Sequence, residues 1–303
     1  MRYAVIDVGT SSVKFVIAER AEGGSWATVV DRAEVTRLGE GLDDGGELRP
    51  EPIERTVEAV AAMVEEAGEA GVGEIAAVGT AGLRIASNSA TFLDAVRERT
   101  GVEVEVISGE EESRLAYLAV TSSLELGNDA LVVFDTGGGS SQFTFGRADR
   151  VDERFSVNVG AARFTERFGL DGVVDEQAID AARAAIAADL DRLDGRPVPD
   201  VVAGMGGAVT NLAAVEHELT TYDPNVIQGA TLEAAEVDRQ IELYRTRTAD
   251  QRRGIAGLQP KRAEVILAGA LIVRTVLASL GRDRLTVSDR GLRHGVLAER
   301  FGR

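Results

Sequence analysis

Apolar residues along the chain fall into two patterns. Short unbroken runs, such as Tyr3-Ala4-Val5-Ile6 and Ala130-Leu131-Val132-Val133-Phe134, read as buried strands. Longer stretches with an apolar residue every third or fourth position read as helices. Strands are expected near 3–7, 12–19 and 26–37 as an antiparallel meander. Ile53, Val57, Val60, Ala61 and Val64 then mark one face of a helix reaching Ala70, opened by Pro50 and Pro52 and closed by Gly71 and Gly73. A buried strand is expected over 75–79, a helix over 89–99, a β-branched strand over 102–107, and a helix from Glu110 to about Leu126 with Ser108 as its cap. The turn cluster Gly127-Asn128-Asp129 marks the boundary between two domains, 1–126 and 127–303. The pattern then repeats: strands near 130–135, 141–146 and 150–158, then a helix. An Ala-rich helix follows over 180–193. A strand at 200–203 runs into Gly204-Met205-Gly206-Gly207 and a helix ending about His217. Helices near 231–247, 260–280 and 290–301 and a strand at 285–287 complete the chain.

The repeat extends to chemistry. Asp7-Val8-Gly9-Thr10-Ser11-Ser12 follows the first buried run, and Asp135-Thr136-Gly137-Gly138-Gly139-Ser140-Ser141 follows the second, with a β-prone run after each. A strand, an Asp and a small-residue turn can wrap backbone N–H groups around phosphate oxygens, because Gly permits the turn and a close approach. The Asp at the strand end then faces the anion, where a metal ion or ordered water makes its charge acceptable. Two such turns, at Asp7 and Asp135, imply paired domains closing on a phosphate chain.

Composition narrows the class. The 303 residues exceed a single small core, and 44% are hydrophobic. No apolar stretch reaches membrane-span length and no basic leader precedes the first strand, so a cytoplasmic protein without a membrane partner is expected. The absence of Cys excludes disulfides and thiolate metal sites. With only His217 and His294, a His-based zinc site or Ser-His-Asp hydrolase is disfavoured. The net charge of −17, from 50 acidic and 33 basic residues, disfavours nucleic acid as a partner and points to a halophilic, high-salt setting. Lysine is confined to Lys14 and Lys261.

Six segments in order resemble the exopolyphosphatase/guanosine pentaphosphate phosphohydrolase (Ppx/GppA) family, of the actin–sugar kinase–Hsp70 superfold. They are Ile6 to Ser12, Gly79 to Arg84, Ile107 to Arg114, Phe134 to Ser140, Gly204 to Thr210, and Val287 to Leu297. The resemblance implies an α/β fold of two ribonuclease H-like (actin-like ATPase) domains with a cleft between them. The first carries phosphate loop 1 and the catalytic Glu; the second carries phosphate loop 2. Its water-activating glutamate maps onto Glu112, with Glu111 the nearest competitor in the acidic run. Phosphate contacts are expected from Gly9, Thr10, Ser11, Ser12, Lys14, Arg84, Gly137, Gly138, Gly139, Ser140, Gly206 and Gly207. Arg262, Arg290 and Arg293 are further candidates for a longer chain, and Arg114 is expected to pair with a neighbouring acid. Asp7, Asp135 and Gln142 are the expected metal positions, for Mg²⁺ with Mn²⁺ as the alternative. Gln142 stands where the family commonly has Glu, Ser11 where it has Asn, and Lys14 where it has Arg. The implied activity is release of orthophosphate from inorganic polyphosphate. The alternatives are pppGpp 5′-phosphohydrolase on the same site, an ATP-dependent kinase of the superfold, or a non-catalytic polyphosphate or nucleotide sensor. A homodimer is expected by the same resemblance.

Overall fold

The computed structural model describes residues 1–21, 26–42, 46–124 and 126–302. It contains two compact units, Met1–Ser122 with Leu292–Arg303, and Ser123–Gly291.

In unit 1 the meander forms as β1 (Arg2–Val8), β2 (Ser12–Arg20) and β3 (Trp26–Val35), followed by α1 (Pro50–Glu69), β4 (Val72–Gly79), α2 (Ala81–Ile85), α3 (Ser89–Thr100), β5 (Val104–Val106) and α4 (Gly109–Thr121). The sheet order is β3-β2-β1-β4-β5, with β1 antiparallel to β2 and parallel to β4. Strand alternation assigns the faces. Ala4, Ile6 and Val8 pack with Val60 and Met63 of α1 and Phe92 and Val96 of α3. Val5 and Val16 point the other way and pack with Leu115 of α4 and with Leu292, Val296 and Leu297. Those last residues belong to the final helix, Leu292–Phe301. It was expected to fall in the second domain, 127–303. Its apolar face instead packs with Val5, Val16 and Leu115, and glycine at 295 is what lets it lie against the Leu115 carbonyl. Asp31 fixes the same helix, accepting from Arg293 Nε at 2.7 Å and lying 3.1 Å from His294 Nε2.

Unit 2 repeats the plan with β6 (Ala130–Thr136), β7 (Ser141–Arg147), β8 (Arg150–Val157), α5 (Ala161–Phe168), α6 (Glu176–Asp189), β9 (Val201–Met205), α7 (Gly207–Glu216), α8 (Pro224–Ile227), β10 (Thr231–Glu233), α9 (Ala234–Arg245), α10 (Ala249–Arg252), α11 (Ile266–Ser279) and β11 (Arg284–Ser288). Its sheet order is β10-β11-β9-β6-β7-β8. The core joins Val132, Phe134 and Phe143 to the nearly all-buried α11. Both sheets thus show the ribonuclease H-like plan, three antiparallel strands continued by two parallel ones, to which unit 2 adds β10, antiparallel to β11, at the edge. Four local expectations differ. The Ala-rich helix expected over 180–193 is α6, Glu176–Asp189, followed by a separate turn at Asp191–Leu193. The helix expected from 231 begins as strand β10, whose Leu232 is buried. The run to 280 becomes a helix only at Ile266, after a separate turn at Pro260–Arg262. Helix α4 ends at Thr121, short of Leu126. No helix among the described residues is long and apolar enough to cross a membrane.

Candidate active site

Loop 1 closes by a hydrogen bond from Gly9 N–H to Ser12 O of 3.0 Å, and loop 2 by the equivalent bond from Gly137 N–H to Ser140 O of 2.9 Å. The sequence repeat is therefore also a repeat of turn geometry. Among the described residues, the N–H groups of Thr10, Ser11, Gly138, Gly139 and Ser140 donate to no backbone carbonyl. Unengaged N–H groups in a tight turn form an anion-accepting nest. Both loops are braced from behind. Thr36 and Arg37 N–H donate to Ser11 O, and Gly39 N–H donates to Thr10 O. In loop 2, Ala161 N–H donates to Gly137 O, while Ala162 and Arg163 N–H donate to Gly138 O. The glycines at 137–139 stay exposed, as a ligand would require.

In unit 1 the period-2 alternation of β1 turns Asp7 to the same face as Val5, which is the α4 face. Asp7 is almost fully buried, and Lys14, directly opposite in the β1–β2 register, donates to its Oδ2 at 3.2 Å. This bond places Lys14, expected on phosphate, beside loop 1. Helix α4 is capped as expected, with Ser108 Oγ accepting from Glu111 N–H at 3.1 Å. The cap sets the rotation of the first turn and so separates the two candidate glutamates. Glu111 accepts both arms of Arg114, at 3.0 and 2.7 Å, and that hydrogen bonding holds its carboxyl below the usual range. Arg114 also bridges to Glu299 of the final helix, so it is structural, as expected. Glu112 lies 2.8 Å from Arg84 Nη1, with its side chain 20% exposed. Burial pushes its carboxyl above the usual range; the hydrogen bond and charge of Arg84 oppose the rise, and the charge of Asp7 adds to it. Arg84 also donates to Ile107 O at 2.9 Å. Arg84 lies in the short helix α2, whose Gly82 allows Thr10 to approach: a Cβ there would lie 3.0 Å from Thr10 Oγ1. Unit 1 thus gathers loop 1, Asp7, Lys14, Arg84 and Glu112.

In unit 2 Asp135 lies opposite Gln142 in the β6–β7 register, so the two side chains share a face. Gln142 is exposed. Gly206, with φ 86° and ψ 172°, caps α7, and a Cβ on it would overlap Asp135 Oδ1. Only glycine fits both that backbone and that contact. Beside it, the Arg262 guanidinium lies over Gly207, where a Cβ would come within 2.6 Å of its Cζ. Arg262 Nε is shut off from solvent without a hydrogen-bond partner. Unit 2 thus gathers loop 2, Asp135, Gln142, Gly206, Gly207 and Arg262. Arg163, whose N–H holds Gly138, was not singled out in the sequence. Its signal would have been its place in the first turn of the helix after β8.

A pair of ribonuclease H-like units, each with an Asp followed by a small-residue turn, and one with an arginine-held carboxylate, is the arrangement of a phosphoryl-group hydrolase class. The chain belongs to the Ppx/GppA phosphatase family, whose model matches residues 16–303. It is a phosphoanhydride hydrolase. Its fold superposes on the crystal structure of the type II variant of the Aquifex aeolicus Ppx/GppA phosphatase with TM-score 0.90 and 33% identity, covering 99% of both chains. Exopolyphosphatase 2 of Mycobacterium tuberculosis is 30% identical over 97% of this chain and 97% of its own length. The bifunctional 3-dehydroquinate synthase/phosphatase of Fusobacterium nucleatum is 28% identical over 98% of this chain, which spans 46% of that protein.

Proposed function

We propose that the chain is an exopolyphosphatase, releasing terminal orthophosphate from inorganic polyphosphate by attack of a water that Glu112 aligns and deprotonates. The observation that carries this reading is the separation of Glu112 from Glu111. Glu111 is committed to Arg114, whereas Glu112 is half-buried, feels the charge of Asp7 and is oriented by Arg84. A carboxylate with a raised pKa is a better proton acceptor, provided it remains ionised at working pH. Loops 1 and 2 offer N–H groups to phosphate oxygens, and Arg262 offers a guanidinium. The exopolyphosphatase relatives support polyphosphate over pppGpp, the alternative substrate on the same site.

The donor chemistry fits a Mg²⁺ carried mainly by substrate oxygens and water, with Asp7 in unit 1 and Asp135 in unit 2 each a candidate protein carboxylate. No cluster of three or more acidic, His or Cys side chains suited to a metal occurs among the described residues, so an all-protein cage is not part of this reading. Bound there, the ion would neutralise phosphate charge; Mn²⁺ is the alternative. The acidic surface supports a halophilic cytoplasmic setting, and the family supports a homodimer.

The test is phosphate release from long-chain polyphosphate and from pppGpp, assayed in parallel in molar KCl with Mg²⁺. Preferential release from polyphosphate is expected. Release from pppGpp alone would replace the substrate, and binding without release from either would leave the sensor reading.

A further inference from the structure

Helix α7 starts at the Gly206-Gly207 turn and is built almost wholly of buried side chains. Asn211 stands out among them. It is 1% exposed, and its neighbours Val209, Leu212 and Ala213 are buried and apolar. Asparagine is a poor helix former, and a buried amide is costly unless it is hydrogen-bonded. Both ends of this one are: Nδ2 donates to Gly207 O at 2.8 Å, and Oδ1 accepts the Gln259 N–H at 2.9 Å. The first bond lies within α7. The second ties α7 to the segment ahead of α11, which carries Arg262.

That segment runs back along one face of α7. Gly207, Asn211 and Ala214 share a face because they are four and three residues apart. Gly257, at φ 84°, lies against the Ala214 carbonyl, where a Cβ would overlap the oxygen. Gln259 meets Asn211, and the Arg262 guanidinium meets Gly207. The path from Asn211 to Arg262 is short and stiff. Gln259 gives its N–H to Asn211, and its C=O accepts the Arg262 N–H at 2.8 Å. Between them Pro260 fixes its own φ and restricts the backbone of Gln259. Arg84 is held at its guanidinium end, by Glu112 and Ile107 O. Arg262 has no such clamp among the described residues, and its Nε meets no acceptor. Its place beside Gly207 is therefore set from its backbone end.

We propose that Asn211 is a positioning residue for Arg262: by holding the Gln259 N–H it delivers the guanidinium to the Gly206-Gly207 turn. Asn211 itself touches no substrate and acts only through Arg262. The proposal rests on the reading that Arg262 serves a substrate phosphate, and it names the buried amide on which that service depends.

The experiment is a double-mutant cycle on the full-length chain, with Asn211→Leu, Arg262→Gln and the pair. It reads KM and kcat for phosphate release from polyphosphate, alongside thermal unfolding. Arg262→Gln should raise KM on the order of tenfold, the effect of one lost hydrogen bond to a charged group. Asn211→Leu leaves every guanidinium in place, yet should raise KM about three- to tenfold with kcat changed less than about twofold, the pattern of weakened binding. In the Arg262→Gln background it should leave KM within about twofold while lowering Tm as much as it does alone. Asn211→Ala removes the same amide with the best helix former, and takes the place of Asn211→Leu should that variant not fold. Equal rises in KM in both backgrounds overturn the proposal, by reducing Asn211 to general support of the fold. Wild-type KM in the Asn211 variant also overturns it. Wild-type KM in Arg262→Gln overturns it together with the place of Arg262 in the site. Release from pppGpp alone replaces the substrate of the exopolyphosphatase reading, and the same cycle read on pppGpp then decides the role of Asn211.

Discussion

Gly206 is where a single methyl group should separate stability from catalysis. At φ 86° and ψ 172° it occupies a backbone region nearly reserved for glycine. Gly206→Ala therefore costs about 1–3 kcal/mol in backbone strain. For a chain of this size that corresponds to a fall in Tm of roughly 2–10 °C. The new Cβ would also overlap Asp135 Oδ1, with Thr136 O at 3.5 Å closing the opposite route. Relief requires the carboxylate to move on the order of 1 Å, a displacement that costs about 10²-fold in rate when it occurs at a reacting centre. Gly207→Ala is the control. Its Cβ meets the end of the Arg262 side chain, 2.5 Å from Nη2, which can swing away, and its φ is not positive. Stability in that variant should change by less than about 1 kcal/mol. The assay is phosphate release alongside thermal unfolding followed by circular dichroism. Gly206→Ala with wild-type Tm and wild-type turnover would refute the role of glycine here. Lost stability with retained turnover would show that Asp135 does not act in the reaction.

Glu112→Gln should retain fold and polyphosphate binding yet lose turnover by on the order of 10²–10⁴-fold, while Glu111→Gln loses far less; phosphate-release kinetics decide, and a larger loss at Glu111 reverses the assignment. Because Glu112 must be ionised to accept a proton and its pKa is raised, activity should fall below a pH above the ordinary carboxylate range. Arg84→Gln removes the hydrogen bond and charge that oppose the rise, so the acidic limb of kcat/KM should move to higher pH; an unmoved limb means another group titrates. Gln142→Glu places a carboxylate on the Asp135 face and should lower the Mg²⁺ concentration for half-maximal activity, whereas superimposable titrations would remove position 142 from the metal site. Burial acts to raise the Asp31 carboxyl, but His294 and Arg293 outweigh it and lower it from 3.8 to about 2. Its contribution, about 2 kcal/mol, is present above the unfolded pKa and lost as pH falls through about 2. Asp31→Asn should therefore be destabilised near neutrality and converge with wild type in acid, as measured by denaturant unfolding.

The strands, their alternation and the two loops were legible in the sequence because they are local properties. An apolar run ending in Asp and a small-residue turn specifies a strand and its loop, and period 2 sets Asp7 on the face opposite Ile6. Periodicity also located α1, closed by Gly71 at φ 69°. It did not separate β10 from α9, since a three-residue strand carries too few positions to show a period. The choice between Glu111 and Glu112 was likewise beyond it: adjacent residues on a helix differ by about 100° in direction, and only the packed environment decides which turns inward. The tertiary structure gives the two different surroundings, with Arg114 paired to Glu111 and Arg84 to Glu112. It also decided that Lys14 answers Asp7, because register brings them opposite each other across β1 and β2. Residues 292–303 joined unit 1 for the same kind of reason. Local pattern made them a helix, but their partners, Val5, Leu115 and Asp31, lie far away in sequence and become neighbours only once the chain has folded.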